Sequence, residues 1–393
     1  MAGTGPAGLI AALGLAQAGF DVVLIGPEPR RDDRRTTALM KPQLSFLDTL
    51  GVGEKLAEEA APLSAMRIVD ATRRLVRARP VTFRAAEIGE AWFGLNIPNT
   101  HLNAVLARAV AGQPGIERRP TTVEHWELGP GQALARLADG GTVAGLLVAA
   151  ADGRASPARQ AAGIATRATA LPQAALVLNF AHERSHDSMS TEFHTETGPC
   201  TQVPLPGRRS SLVWVVRPDE AEALAGLPDE ALSQRVETAI QSMLGKVRVE
   251  PGRQVYPLST VAPSRFAGRR VALVGEAAHV IPPIGAQGLN LGVRDVEELV
   301  RIAAAHRDDP GSAAALADYD RRRRMDILAR TGAVTLLNRS LLSGFLPAQL
   351  ARMVGLGALG AFPPLRGFFM REGLRPGSGF AAISGNLREK IGR

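Results

Sequence analysis

Residues 275–295 read GEAAHVIPPIGAQGLNLGVRD, and their reading decides the fold. Glycines, two adjacent prolines, one histidine and four acid or amide side chains (Glu276, Gln287, Asn290, Asp295) share the stretch with apolar residues, a mixture that neither a plain strand nor a plain helix tolerates. A change of state within it resolves the difficulty. VALVG (271–275) is a short β-branched run that reads as a buried strand, and Pro282 and Pro283 exclude regular structure around themselves. From Gly288 onward, Leu289, Val293, Val296 and Leu299 recur at helical spacing. The order is strand, tight loop, helix. Glycines in such a loop let a ligand approach the backbone, and the helix that starts there aims free N–H groups and a partial positive charge at it. That describes a cofactor or anion site.

Two other segments repeat the design. GTGPAG (3–8) fits G-x-G-x-x-G, in which Gly3 makes the turn, Gly5 admits a pyrophosphate against the backbone and Gly8 lets helix and strand pack closely. A helical pattern (Leu9, Ile10, Leu13, Leu15) and the strand run FDVVLI (20–25) follow it. AADGRASPARQAAGI (150–164) is an apolar strand that ends in Asp152-Gly153 and opens a helix, with Ser156 as its cap and Pro157 at its first position.

Around these pieces lie helical segments at 41–50 and 101–111 and strand runs at 66–71, 133–139 and 142–150. A second block, with strands at 174–181, 190–196 and 210–216 separated by Pro/Gly turns, suggests a more antiparallel sheet. The fold class is therefore α/β: a Rossmann-like domain from 1–169 and 263–311, an inserted, mostly antiparallel β-sheet domain over 170–262, and a C-terminal helical region over 312–393. The apolar part of that last region has uncharged runs at 340–351 and 353–365, too short to span a bilayer, so buried helices are expected there.

Composition narrows the function. With 45% hydrophobic and 21% charged residues the chain is an ordinary globular protein, and one cysteine, Cys200, excludes a disulfide framework and suits a reducing, cytoplasmic compartment. LIAALGLAQAGF (9–20) resembles the core of a signal peptide, but no Lys or Arg precedes Arg30. The net charge of +8 comes with only 4% aromatic residues, so stacking platforms are lacking and no nucleic-acid partner is expected. The basic clusters, including RRRR (321–324), read as solvated faces. Loose peripheral attachment to an anionic membrane is the next reading.

Taken in order, GTGPAG, ADGRASPAR and the 275–295 stretch resemble the three fingerprints of flavin-dependent aromatic hydroxylases of the para-hydroxybenzoate hydroxylase fold. DRRTTALM (33–40), FGLNIPNTHLNAVL (93–106), VPLPGRRSSLVW (203–214) and PPLRGFFMREGL (363–374) narrow the resemblance to the ubiquinone-biosynthesis hydroxylases. The resemblance implies FAD as cofactor, NADH or NADPH as co-substrate, oxygen, transfer of one oxygen atom from a C4a-hydroperoxyflavin, and a lipophilic aromatic small molecule as partner, with a prenylated phenol first and a biosynthetic assembly in the background. It assigns Gly3, Gly5, Gly8 and Arg35 to the pyrophosphate, Asn99 and Glu276 (beside Gly275) to the ribityl chain, Asp152 to the FAD and nicotinamide fingerprint, and Gly288, Leu289 and Asn290 to the flavin N1 and O2 edge. No catalytic side chain and no metal follow from it.

Plain alternatives stand beside these roles: Arg35 pairing with Asp32 or Asp33, Asn99 capping a helix, Asp152 making a turn, His279 simply packed. The sequence also departs from the family. Gly26 stands where an acid usually binds the adenosine ribose, with Glu28 nearest, and Glu276 stands where Asp is usual. A flavin-free scaffold subunit and a hydroxylase of another lipophilic phenol remain as alternatives. Only Met1 and Ala2 precede the first glycine, so a Val/Ile/Ala-rich strand is expected upstream of residue 1.

Overall fold

The computed structural model describes residues 1–28, 33–73, 77–283, 287–342, 355, 357, 359 and 361–374. Much of the apolar C-terminal segment, and Arg30 to Asp32 of the first basic cluster, lie outside the described residues.

Apolar runs from distant parts of the chain build the first sheet. Val22–Ile25 pairs in parallel with Ile116–Arg119, and Val148–Ala150 pairs in parallel with Val271–Leu273. Ala2 joins the two halves, with parallel bridges to Ile25 on one side and Ala150 on the other. Its N–H donates to Ala149 O at 3.0 Å, and the Gly3 N–H donates to Ile25 O at 2.8 Å. The central position of the sheet thus leads straight into the first glycine turn. Helices cover the sheet, as its unbroken hydrophobic runs require. Pro6–Gln17 and Gln287–Ala305 pack closely because Gly14 leaves room for Val296 and Val300.

The run 142–150 divides between two structures. Thr142–Gly145 pairs with Ala133–Leu137 in a small antiparallel sheet, and only Val148–Ala150 enters the main one. A third sheet sets Gly94–Pro98 between Thr36–Met40 and Ala61–Leu63.

The largest sheet has eight strands and takes in more of the chain than 170–262. Thr166–His182 and Gln254–Pro263 reach beyond both limits, and Ala65–Asp70 and Val81–Arg84 join it through a parallel pairing with Met189–His194. One face is dry. Leu176, Leu178, Phe180, Phe193, Leu212 and Trp214 pack there against two helices, Pro218–Ala225 and Asp229–Ala239.

The opposite face looks toward Arg34 and Thr36 of the first domain. Cross-strand pairing sets Phe83, Met66, Ser190, Val203, Ser211 and Asn179 in one row and Val81, Ile68, Glu192, Thr201, Val213 and Val177 in the next. Two ties anchor the first row across the gap: Ser211 Oγ lies 2.9 Å from Thr36 Oγ1, and Asn179 Nδ2 donates to Arg34 O at 3.1 Å. All but Val81 and Ser211 in these rows are half-buried, so this face borders open space.

Ala313–Leu342 forms a long helix whose Leu316, Tyr319, Arg323 and Ile327 are buried at helical spacing. The expected solvated face of RRRR is therefore corrected at one position. Arg321, Arg322 and Arg324 stay on the outside with Asp318 and Asp320, whereas the Arg323 side chain is only 4% exposed.

Candidate functional site

The three fingerprints, far apart in sequence, converge at the ends of the central strands. At the first turn Gly3 has φ +105°, and a Cβ there would lie 2.1 Å from Ala151 O. A Cβ on Gly8 would lie 2.0 Å from Gly3 O, so this glycine sets the distance between turn and helix. Gly5 differs, because nothing lies within 4 Å of its Cβ position. Gly5 is also the N-cap of Pro6–Gln17, whose first turn has no side-chain cap and no acid, leaving its N–H groups for an anion.

A cavity of about 410 Å³ opens in front of this turn, lined by Gly3, Thr4, Gly5, Gly26, Thr122 and Asp152 among others. Asp152 Oδ2 accepts the Ala158 N–H at 3.0 Å, while its Oδ1 is buried with no partner among the described residues. Burial pushes this carboxyl above the usual range despite hydrogen bonds from Ser156 and Ala158. Ser156 caps its short helix at the Arg159 N–H, 3.0 Å away, with Pro157 first, as its sequence predicts. Glu28, the acid nearest the usual ribose position, is bonded to Arg118 at 2.8 Å.

Gly275–Ala277 forms the turn after Val271–Leu273, with Gly275 at φ +62°. Between 271 and 280 only Glu276 is exposed, so the turn presents one carboxylate to the site. Gln287–Ala305 begins beyond it, and Gly288 has open space at its Cβ position. Leu289 packs on the core, and the Asn290 side chain staples this helix to Thr36–Met40, accepting from Met40 N at 2.9 Å and donating to Ala38 O at 2.7 Å.

Arg35 and Asn99 meet in one cluster. Arg35 grips Asp33 through Nε (2.7 Å) and Nη2 (2.6 Å) and lies over the Tyr256 ring at 5.3 Å. Asn99 is the first residue of its helix but does not cap it; its amide takes the Thr37 hydroxyl at 2.7 Å and donates to Asp33 at 2.9 Å. Burial would raise Asp33, yet the hydrogen bonds from Arg35 and Asn99 hold it below the usual carboxylate range. Arg35 is held above its ordinary value, first by the Asp33 hydrogen bond and in smaller part by the charge of Glu276, which ties this cluster to the turn. With Asp33 already sharing its charge, Arg35→Ala is expected to weaken FAD by no more than about tenfold, ~1.4 kcal/mol. A flavin-fluorescence titration checks this, and a loss of a hundredfold would mean that Arg35 leaves Asp33 for the phosphates.

Three buried residues that sequence reading left aside hold the fingerprints together. Arg159, 5% exposed, donates to Ala277 O and to Arg154 O, both at 2.8 Å, joining the second fingerprint to the third. His279, read as packed, is buried but also bonded: its Nε2–H donates to Asp295 Oδ2 at 2.7 Å. The 0% exposed Asp295 accepts the Gly275 N–H at 2.9 Å as well. The open space at Gly5 and Gly288, the adjoining cavity and the lone Asp152 oxygen fit a dinucleotide whose phosphates lie on the first turn and whose ring reaches the third.

Comparison with known proteins agrees. Residues 1–330 match the FAD binding domain family. Ubiquinone hydroxylase UbiL of Rhodospirillum rubrum is 36% identical over 95% of this chain and 88% of its own length, and the 3-demethoxyubiquinol 3-hydroxylase of Escherichia coli is 30% identical over 91% and 93%. The crystal structure of p-nitrophenol 4-monooxygenase PnpA from Pseudomonas putida superposes with a TM-score of 0.76 at 21% identity, covering 95% of both chains. With two of its fingerprints lining one cavity and the third packed against the helix of the first, the chain belongs to the FAD binding domain family, as an FAD-dependent monooxygenase.

Proposed function

We propose that the protein hydroxylates a lipophilic phenol, a prenylated intermediate of ubiquinone biosynthesis, using NADH or NADPH and oxygen. Bound FAD would supply the redox chemistry, taking electrons from the nicotinamide and delivering one oxygen atom to the ring. The protein supplies binding and environment. The start of Gln287–Ala305 offers backbone N–H groups and the positive end of a helix where negative charge develops on the reduced ring. The half-buried face of the large sheet excludes water from the reacting ring.

One observation carries the substrate class. The two rows on that face, from Phe83 to Asn179 and from Val81 to Val177, contain no Lys or Arg, and their single charge is Glu192, 2.6 Å from His194. A substrate carboxylate would meet an acid, neutral polar groups and apolar side chains in these rows, with no cation among them to pair with. Met66 and Phe83 continue the apolar surface to Met40, Phe93 and Met370. The names of the relatives from Rhodospirillum rubrum and Escherichia coli support a ubiquinone-type substrate.

The working place is an anionic membrane surface, contacted peripherally. No helix among the described residues is long and apolar enough to cross a membrane. Phe362, Leu365 and Phe369 are nevertheless exposed in and beside the Pro363–Leu374 helix, whose Met370 closes the apolar cluster beneath. The nearby run 71–84, ATRRLVRARPVTFR, holds five arginines and no acid. NADH consumption is expected to be stimulated by a prenylated phenol carried in anionic vesicles and not by para-hydroxybenzoate. The reverse order of substrates would overturn the proposal, and a colourless purified protein would favour a flavin-free scaffold.

A further inference from the structure

The Gly275–Ala277 turn rests on a helix that begins almost forty residues later in the chain. Asp295 lies beneath the turn with 0% exposure, and its Oδ2 holds the Gly275 N–H and the His279 ring. Its Oδ1 faces Arg323, with Nε at 2.7 Å and Nη2 at 2.6 Å. Arg323 also donates to Asp326 at 2.8 Å, and Arg294 holds Asp326 through two bonds of 3.0 Å. Two arginines, two aspartates and the His279 ring make one largely buried network. The same helix grips the strand that leads into the turn, where Tyr319 Oη donates to Leu273 O at 2.7 Å, and the segment before that strand, where Asp320 accepts the Phe266 N–H at 2.5 Å.

We propose that docking of the Ala313–Leu342 helix through Arg323 and Asp295 is thermodynamically coupled to FAD binding, so that the helix fixes the turn for the cofactor and the cofactor fixes the helix. The proposal rests on the reading of this turn as part of the flavin site. Arg323 touches the turn only through Asp295, which makes it a positioning residue. Without Arg323, Asp295 is a buried carboxylate facing only a histidine and one N–H, and desolvation drives it to take up a proton or rotate away. The Gly275 N–H then loses its anionic acceptor, and Glu276, the exposed residue beside it, loses its aim. Linkage makes the effect reciprocal: whatever free energy the docked helix adds to FAD binding, bound FAD returns to the docked helix.

Hydrogen–deuterium exchange on the full-length protein, with and without FAD, tests the second half. Peptides covering 313–327 are expected to exchange about tenfold more slowly with FAD bound, and no FAD-dependent protection there overturns the proposal. FAD affinity tests the first half. Arg323→Met, which keeps the apolar stem, is expected to weaken FAD about tenfold or more and to erase that protection, with Arg323→Lys restoring part of both. Arg270→Met serves as the comparison, because Arg270 is equally buried and pairs with Asp309 at the far end of Val271–Leu273. It is expected to lower the melting temperature with FAD affinity within about twofold of the parent. The same result in Arg323→Met would reduce Arg323 to a structural role and overturn the coupling. Glu276→Ala separates the two layers. Affinity unchanged there overturns the turn as a flavin site and the coupling with it, whereas affinity lost there but kept in Arg323→Met overturns the coupling alone.

Discussion

Gly3→Ala is expected to yield a protein that neither holds FAD nor reaches parental stability, whereas Gly5→Ala, two residues away, is expected to fold normally and lose only the cofactor. At Gly3 a Cβ would sit 2.1 Å from Ala151 O and 2.5 Å from Ala151 C, both backbone atoms just past the Val148–Ala150 strand, at φ +105°. Strain and overpacking together come to about 2–5 kcal/mol, a large share of a typical 5–15 kcal/mol of stability. Gly5 has an ordinary φ of −70° and free space around its Cβ position. An alanine methyl there costs the fold nothing but occupies the approach of the pyrophosphate. FAD affinity is expected to fall by roughly 1.5–3 kcal/mol, about tenfold to hundredfold. Melting temperature and flavin absorbance on the two variants check the contrast, and full flavin retention in Gly5→Ala would move the phosphates elsewhere.

Asp295→Asn is expected to be the most damaging conservative change in the chain. It leaves the volume intact, takes from Arg323 the fully buried one of its two counter-charges and is expected to remove about 3–5 kcal/mol of stability at neutral pH. Burial alone would raise the Asp295 carboxyl, but the charges of His279 and Arg323 and the Gly275 N–H outweigh it and hold it below the usual range. A carboxyl depressed in the folded state stabilises the fold fully above its unfolded value near ~3.9, and that contribution is lost as pH falls through the lower folded value. The gap between parent and Asp295→Asn should therefore be constant from neutral down to about pH 4 and narrow below it. Urea midpoints measured across that range test the sign, and a gap that widens in acid would mean that Asp295 is protonated in the folded protein at neutral pH.

The parts legible in the sequence were those written locally. Each fingerprint is a strand, a turn and a helix start within some twenty residues, and Gly3, Gly8, Ser156 and Pro157 occupy the positions that their spacing predicts. The Asp295, His279 and Arg323 network was not legible, because a charge on a helix looks alike whether solvated or buried until the partner helix is in place. Three of the four arginines in 321–324 are solvated, and the fourth is not. Residues 81–84 alternate as a strand should, but alternation does not say which sheet a strand joins. The helices at 218–239 had a signal that was passed over: Pro218 at the first position followed by Asp219 and Glu220.

The order in which the chain is made gives the split first sheet a further meaning. Its Val271–Leu273 strand and the Arg323 helix emerge from the ribosome about 13–64 s after the first glycine turn, at roughly 5–20 residues per second. Until then the edge of Val148–Ala150 that Val271–Leu273 will occupy has no strand to pair with. Synthesis therefore carries the nascent chain through a long interval with an apolar, unpaired strand edge and no complete cofactor site, while the strands of the large sheet from Thr166–His182 to Gln254–Pro263 are still being made. Chaperone demand should track translation speed between residues 150 and 323.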